Sequence, residues 1–183
     1  MVSCLYVARG VWLMSNKNKY EDQEYINLVS DILEHEEFNK TKEIVHHGLN
    51  RFDHSMRVSY YAYKLTKLLK LDYKGVARAG LLHDFFFVDN SDIDRTKRLD
   101  VLINHPKYAL ANAKRYFDLS EKEANIIESH MFPISLKAPR YLESWIVDMV
   151  DNVVAVIEAF YVNQKHFKIA TNFLMLILIN YLR

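Results

Sequence analysis

The chain has 183 residues, with 24 Lys and Arg against 23 Asp and Glu, half of its residues apolar, and only 4 Gly, 3 Pro and 1 Cys. Gly and Pro this scarce, against roughly 12% together in average usage, exclude turn-rich sandwiches and barrels, collagen and flexible linkers. A formal net charge of +1 without a long run of like charge leaves no footprint for duplex nucleic acid, and the lone Cys4 can neither close an internal disulfide nor build a thiolate site, which fits a cytoplasmic setting.

Residues 1–20 read as an N-terminal extension. The stretch MVSCLYVARGVWLM is mildly apolar but carries Arg9 and lacks both a basic start and a small-residue cleavage site. The polar segment after Met14 makes that methionine an alternative start. Residues 21–163 are expected to form one all-α domain, a helical bundle, because apolar residues recur at three and four positions over most of the length. A domain of this size buries enough surface to fold without a metal, so any metal serves chemistry.

The first amphipathic helix is expected from about Glu21 to Phe38, with His35 at its solvated end. From Asp53 a stripe of His54, Val58, Tyr61, Ala62, Leu65, Leu68 and Leu69 runs for about four turns. Asp72 can cap the next helix, where Val76, Ala79, Gly80 and His83 share a face of small residues that admits a close neighbour. The polar segment Val88 to Asp100 is expected to be a mobile loop, and Pro106 to occupy the first position of the helix after it. Ser120 and Glu123 spell a capping box, and Pro133 and Pro139 then break the chain before a helix from about Arg140 to Tyr161. On that helix Asp151, Val154 and Glu158 form a strip whose buried carboxylates need partners. Residues 164–183 hold the apolar run FLMLILI, too short to cross a bilayer; it is expected to pack on the domain or at a homodimer contact.

The chemistry-bearing residues in order are His54, the vicinal pair His83-Asp84, His105, His130 and Asp151, each on a different expected segment. In a helical bundle such spacing returns each residue to one central cavity. Imidazole and carboxylate without thiolate suit a divalent transition metal, one or two of Mn, Fe, Co, Ni or Zn. In the vicinal pair one side chain can ligate from the side while the Asp bridges two ions. Two ions so placed would activate a water and hold phosphate oxygens for in-line attack.

The segments LNRFDHSMRV, AGLLHDFF, NHPKYALANA, ESHMFP and VDMVDNVVA resemble the HD-domain metal-dependent phosphohydrolase superfamily over about residues 50 to 160. The resemblance implies His54, His83, Asp84 and Asp151 as the core metal set, with His105 and His130 as the additional histidines of binuclear members. If only the four are ligands, the two extra histidines contact substrate phosphate instead. Asp84, His105 and His130 would stand at the reacting atoms. Asp148, one turn before Asp151, is cast as an acceptor for a ligand histidine. Phe85 to Phe87 follow the pair where cyclic-dinucleotide phosphodiesterases often carry a Lys, and the Gly-Tyr-Pro signature of that branch is missing, which disfavours a cyclic dinucleotide.

Arg57, one turn after His54, and Lys107, two residues after His105, are the cations placed to reach a substrate phosphate. Arg51, Arg78 and Arg140 are further sources of positive charge. Tyr60, Tyr61, Tyr63 and Phe85 to Phe87 either stack a base or fill the core, with the core the commoner role for such rings. His46-His47-Gly48 reads as a solvated turn, and His166 has no assigned part. The expected function is hydrolysis of a phosphoester of a nucleotide or small phosphorylated metabolite through a metal-activated water, with no membrane partner. The rival expectations are a di-iron oxygenase on the same ligands and a nucleotide-binding sensor without turnover.

Overall fold

The structure, a computed structural model, describes residues 22–46, 49–87 and 95–181, and the side chains of these apart from residues 45, 46, 49, 95–98 and 165–181. The expected N-terminal extension, the choice between Met1 and Met14, the greater part of the expected mobile loop, His47-Gly48 and the side chains of His46 and His166 lie outside the described residues.

The described chain is helical apart from one two-residue ladder. In order it comprises α1 (Gln23–Leu33), α2 (Glu36–Asn39), a 3₁₀ turn (Lys40–Glu43), the strands β1 (Val45–His46) and β2 (Leu49–Asn50), then α3 (Arg51–Leu68), α4 (Tyr73–Leu82), α5 (Arg95–Tyr116), α6 (Glu121–Ser129) and α7 (Leu142–Tyr181). The strands pair antiparallel, Val45 opposite Asn50.

Side chains that cap the main chain set where the helices begin. Asp22, Asn50 and Asp72 accept from the backbone N–H groups of Tyr25, Asp53 and Gly75, and Ser120 with Glu123 forms the expected reciprocal box, each satisfying donors that a helix start leaves unpaired. Asn50 thus starts α3 one turn ahead of His54.

Helices α3 and α4 form the tightest pair. A Cβ on Gly80 would stand 2.9 Å from the Ser59 Cα, so only glycine permits this approach. Ser59 lies between the two helices and α1, donating to the Ala77 carbonyl at 2.6 Å and accepting from the Tyr25 hydroxyl at 2.9 Å. Val58, Ala62, Val76, Ala79, Ile126, Ile127 and Val147 fill the core around this contact. Tyr63 and Phe85 are fully buried there, which makes them core residues.

Several sequence expectations need correction. The helix expected from Glu21 to Phe38 breaks at Glu34, and His35, half-buried, begins α2 by accepting from the Glu37 N–H at 3.2 Å while packing on Tyr116 and Phe117. Leu68 and Leu69 leave the core and are exposed, because the buried stripe of α3 drifts towards Tyr63 and Thr66. Pro106 lies in the middle of α5 rather than at its start, since Arg95 to Asp100 is already helical. The last helix does not end near Tyr161 but runs unbroken from Leu142 to Tyr181.

Candidate metal centre

Five elements deliver the six expected residues to one buried space. His54 comes from the first turns of α3, His83-Asp84 from the end of α4, His105 from the middle of α5, His130 from the end of α6, and Asp151 from α7. All six are at most 9% exposed. The rings of His54 and His83, His83 and His130, and His105 and His130 lie 5.4, 4.9 and 5.0 Å apart between centroids.

Three of the histidines are aimed by one device. His83 Nδ1 is 2.8 Å from the Gly80 carbonyl, His130 Nδ1 2.8 Å from that of Ile127, and His105 Nδ1 2.9 Å from that of Leu102. A carbonyl only accepts, so each Nδ1 carries a proton and Nε2 is the atom that each ring turns to the centre. Carbonyls at the ends of α4 and α6 lack helical partners as a rule of helix termini. In the middle of α5 the vacancy has another origin: the N–H that would bond to Leu102 belongs to residue 106, and Pro106 has none.

His54 is aimed differently. Its Nδ1 lies 2.9 Å from Glu158 Oε2, its Nε2 lies 2.9 Å from Asp151 Oδ1, and the other Glu158 oxygen accepts from Arg57 at 2.7 Å. Glu158 therefore takes the place expected for Asp148. The sequence places Glu158 on the same buried strip as Asp151, two turns on, and that spacing is the only local sign of its part. The Arg57 guanidinium, 11% exposed, is engaged by this carboxylate. Lys107 is exposed, held by Asn104 at 3.0 Å, and lines a pocket of about 250 Å³ with Glu128 and Lys137.

The remaining positive groups are accounted for within the fold. Arg51 is buried and stacks on Phe86, whose carbonyl it also bonds. Arg78 pairs with Asp31 and Glu123, and Arg140 with Glu121.

The electrostatics suit a cation. Burial raises the pKa of Asp84 and Asp151, but the surrounding histidines outweigh it and hold both carboxyls well below the usual range. Burial opposes protonation of His54, yet Asp151 and Glu158 lift its pKa to about 10, so in the metal-free chain a proton occupies the place between His54 and Asp151. Burial, His83 and His105 push His130 down to about 3, which keeps it neutral. Asp148, buried and close to Asp151, is raised to about 6, mainly by desolvation.

The donor atoms fit a divalent metal on two observations. His83 Nε2 and Asp84 Oδ1 are buried without a hydrogen-bond partner, a cost that a cation removes. His105 Nε2 faces His130 Nε2 at 3.0 Å; with both Nδ1 atoms committed to carbonyls, a cation at their mouth would be met by both nitrogens. Donor atoms of His54, His83 and Asp151, and again of His83, Asp84 and His130, lie within 4.8 Å of one another. His105 joins the second group at 3.3 Å from Asp84 Oδ1.

An all-helical domain that turns imidazole and carboxylate donors into one buried centre is the architecture of a metal-binding hydrolase scaffold. The HD domain model matches residues 51–156, more than half of the chain, and the chain belongs to the HD domain family, whose members are in general metal-dependent hydrolases. No curated protein and no solved structure matches it. The matched span begins at the start of α3 and takes in all six residues, while Glu158 lies two positions beyond its end.

Proposed function

We propose that the chain is a phosphohydrolase that cleaves the phosphoester of a nucleotide or another small phosphorylated metabolite with one or two divalent ions of Mn, Fe, Co, Ni or Zn. The observation that carries this reading is the position of Asp84: its Oδ1 lies 3.3 and 3.7 Å from His105 and His130, and its Oδ2 3.9 Å from His83. One carboxylate thus offers an oxygen to each half of the centre, as a bridging ligand must. His54, His83 and Asp151 would hold one ion beside Asp84, and His105 with His130 a second. Bound ions supply a water acidified towards neutrality and positive charge opposite the phosphoryl oxygens.

The chain's own residues do the rest. Glu158 and the three carbonyls fix the tautomer of each histidine, so that no ring must turn to ligate. Burial of the centre strengthens each charge interaction by excluding water. Lys107, two residues after His105 in sequence, is the cation proposed for the substrate phosphate, whereas Arg57 is engaged by Glu158.

The test is elemental analysis of protein purified without chelator, run with Asp84→Ala and His105→Ala variants and with phosphate release from a panel of nucleotides and sugar phosphates. Two ions per chain, falling to one or fewer in both variants, with release that follows metal content, is the expected result. Iron with dioxygen consumption and no phosphate release would replace hydrolysis by oxygenation. No metal under any loading condition would remove the reading and favour a sensor.

A further inference from the structure

The outer face of α7 is unlike that of a helix that meets water. Between Leu142 and Gln164 the helix carries four carboxylates, Glu143, Asp148, Asp151 and Glu158, and all four are buried against the domain. Every exposed position over the same span is uncharged. Leu142, Trp145, Met149, Val153, Val156 and Phe160 are between 46 and 69% exposed, and steps of three and four residues keep them on one narrow stripe. Solvated helix faces ordinarily carry charge, and a continuous apolar patch of this extent marks a contact.

We infer that this stripe is the surface through which two copies of the chain pair. Six side chains of roughly 150–200 Å² each, about half exposed, leave on the order of 500 Å² of apolar surface per copy and about 1,000 Å² for a pair, the lower bound of a specific interface. The same helix continues for 17 residues past Gln164, so the contact has chain in which to extend. A two-fold pair sets the same patch against itself. Here that juxtaposes no like charges and strands none, whereas a partner recognised by charge finds nothing to read. Beside the stripe, Tyr61 and residues of α7 including Val150, Val154 and Ile157 line an apolar groove of about 270 Å³, a recess for the ridge of the second copy.

Sedimentation velocity on the full chain decides the matter, with Val156→Glu and Met149→Glu beside the native sequence. Both side chains are at least half exposed, so the far-ultraviolet circular dichroism of the variants should match the native chain, and their melting should fall only by what the lost association contributed. The expected result is a native dimer of twice 21.7 kDa whose dissociation constant rises roughly 30-fold or more in each variant. In a Cys4→Ser background, Val153→Cys should oxidise to a covalent dimer and Lys64→Cys, exposed on α3, should not. A native monomer would overturn the inference, as would a dimer that both variants leave intact. A monomer whose Val153→Cys thiol is shielded from alkylation would also overturn it, by placing a segment of the same chain on the stripe.

Discussion

His83, His105 and His130 commit Nδ1 to a main-chain carbonyl of their own helix, and His54 commits it to Glu158. The difference matters because a carboxylate behind a ligating imidazole raises its basicity as well as fixing its tautomer. Glu158 is itself held below the usual carboxylate range, against its burial, by His54 and Arg57, so it stays charged at neutral pH. Removing it takes away orientation and charge together while leaving every expected ligand in place. Glu158→Ala should weaken binding of Mn or Zn about 10- to 100-fold, the usual effect of losing such a partner, and Glu158→Gln, which can still accept from Nδ1, should recover part of it. Competition against a chromophoric chelator measures both; native affinity in Glu158→Ala would show that His54 is aimed by packing alone.

At the scale of the element, α5 contains a local flaw that the centre uses. A proline inside a helix costs about 3 kcal/mol through its missing hydrogen bond and the clash of its ring with the preceding turn, yet Pro106 is buried and sits next to a candidate ligand. The Leu102 carbonyl that it leaves free is the one His105 uses. Pro106→Ala should therefore raise the melting temperature of the metal-free chain while weakening occupancy of the His105 and His130 half of the centre. Calorimetry and a metal titration read the two effects separately; a higher melting temperature with unchanged titration would show that one carbonyl serves both donors. This arrangement also explains which elements were legible in the sequence. The capping residues Asp72, Ser120 and Glu123 and the small face around Gly80 are local patterns, and the structure places them as read; the order of the six candidate residues is a local pattern too, and the fold brings them to one buried space. The start of α5 was not legible, because Pro106 reads as a first helical residue and Arg95 to Asp100 show no apolar face. Nor was the role of Glu158, which follows from how α7 packs on α3 and not from its own neighbours in sequence.

Across the whole molecule the centre works as a staple. Its six residues come from α3, α4, α5, α6 and α7, so an ion bound there joins five elements at one point, and no single helix can leave without breaking the set. A ligand that binds only the folded chain stabilises it by about 2.7 kcal/mol at a hundred times its dissociation constant, and about 1 kcal/mol shifts the melting of a chain this size by roughly 2–4 °C. Chelation should then lower the melting temperature by about 5–10 °C in one cooperative transition, and restoring Mn or Zn should reverse it. The size of that drop depends on pH in a definite direction. In the metal-free fold His54 keeps its proton up to about pH 10, and an ion ligating Nε2 must displace it, so each rise in pH weakens the competing proton and strengthens metal binding. The metal-dependent increment should therefore be larger near about pH 8 than near about pH 6, with proton release on binding in weakly buffered solution. Scanning calorimetry with and without chelator at both pH values reads this directly. An increment that is flat or falls with pH would mean that the ion does not take the position between His54 and Asp151.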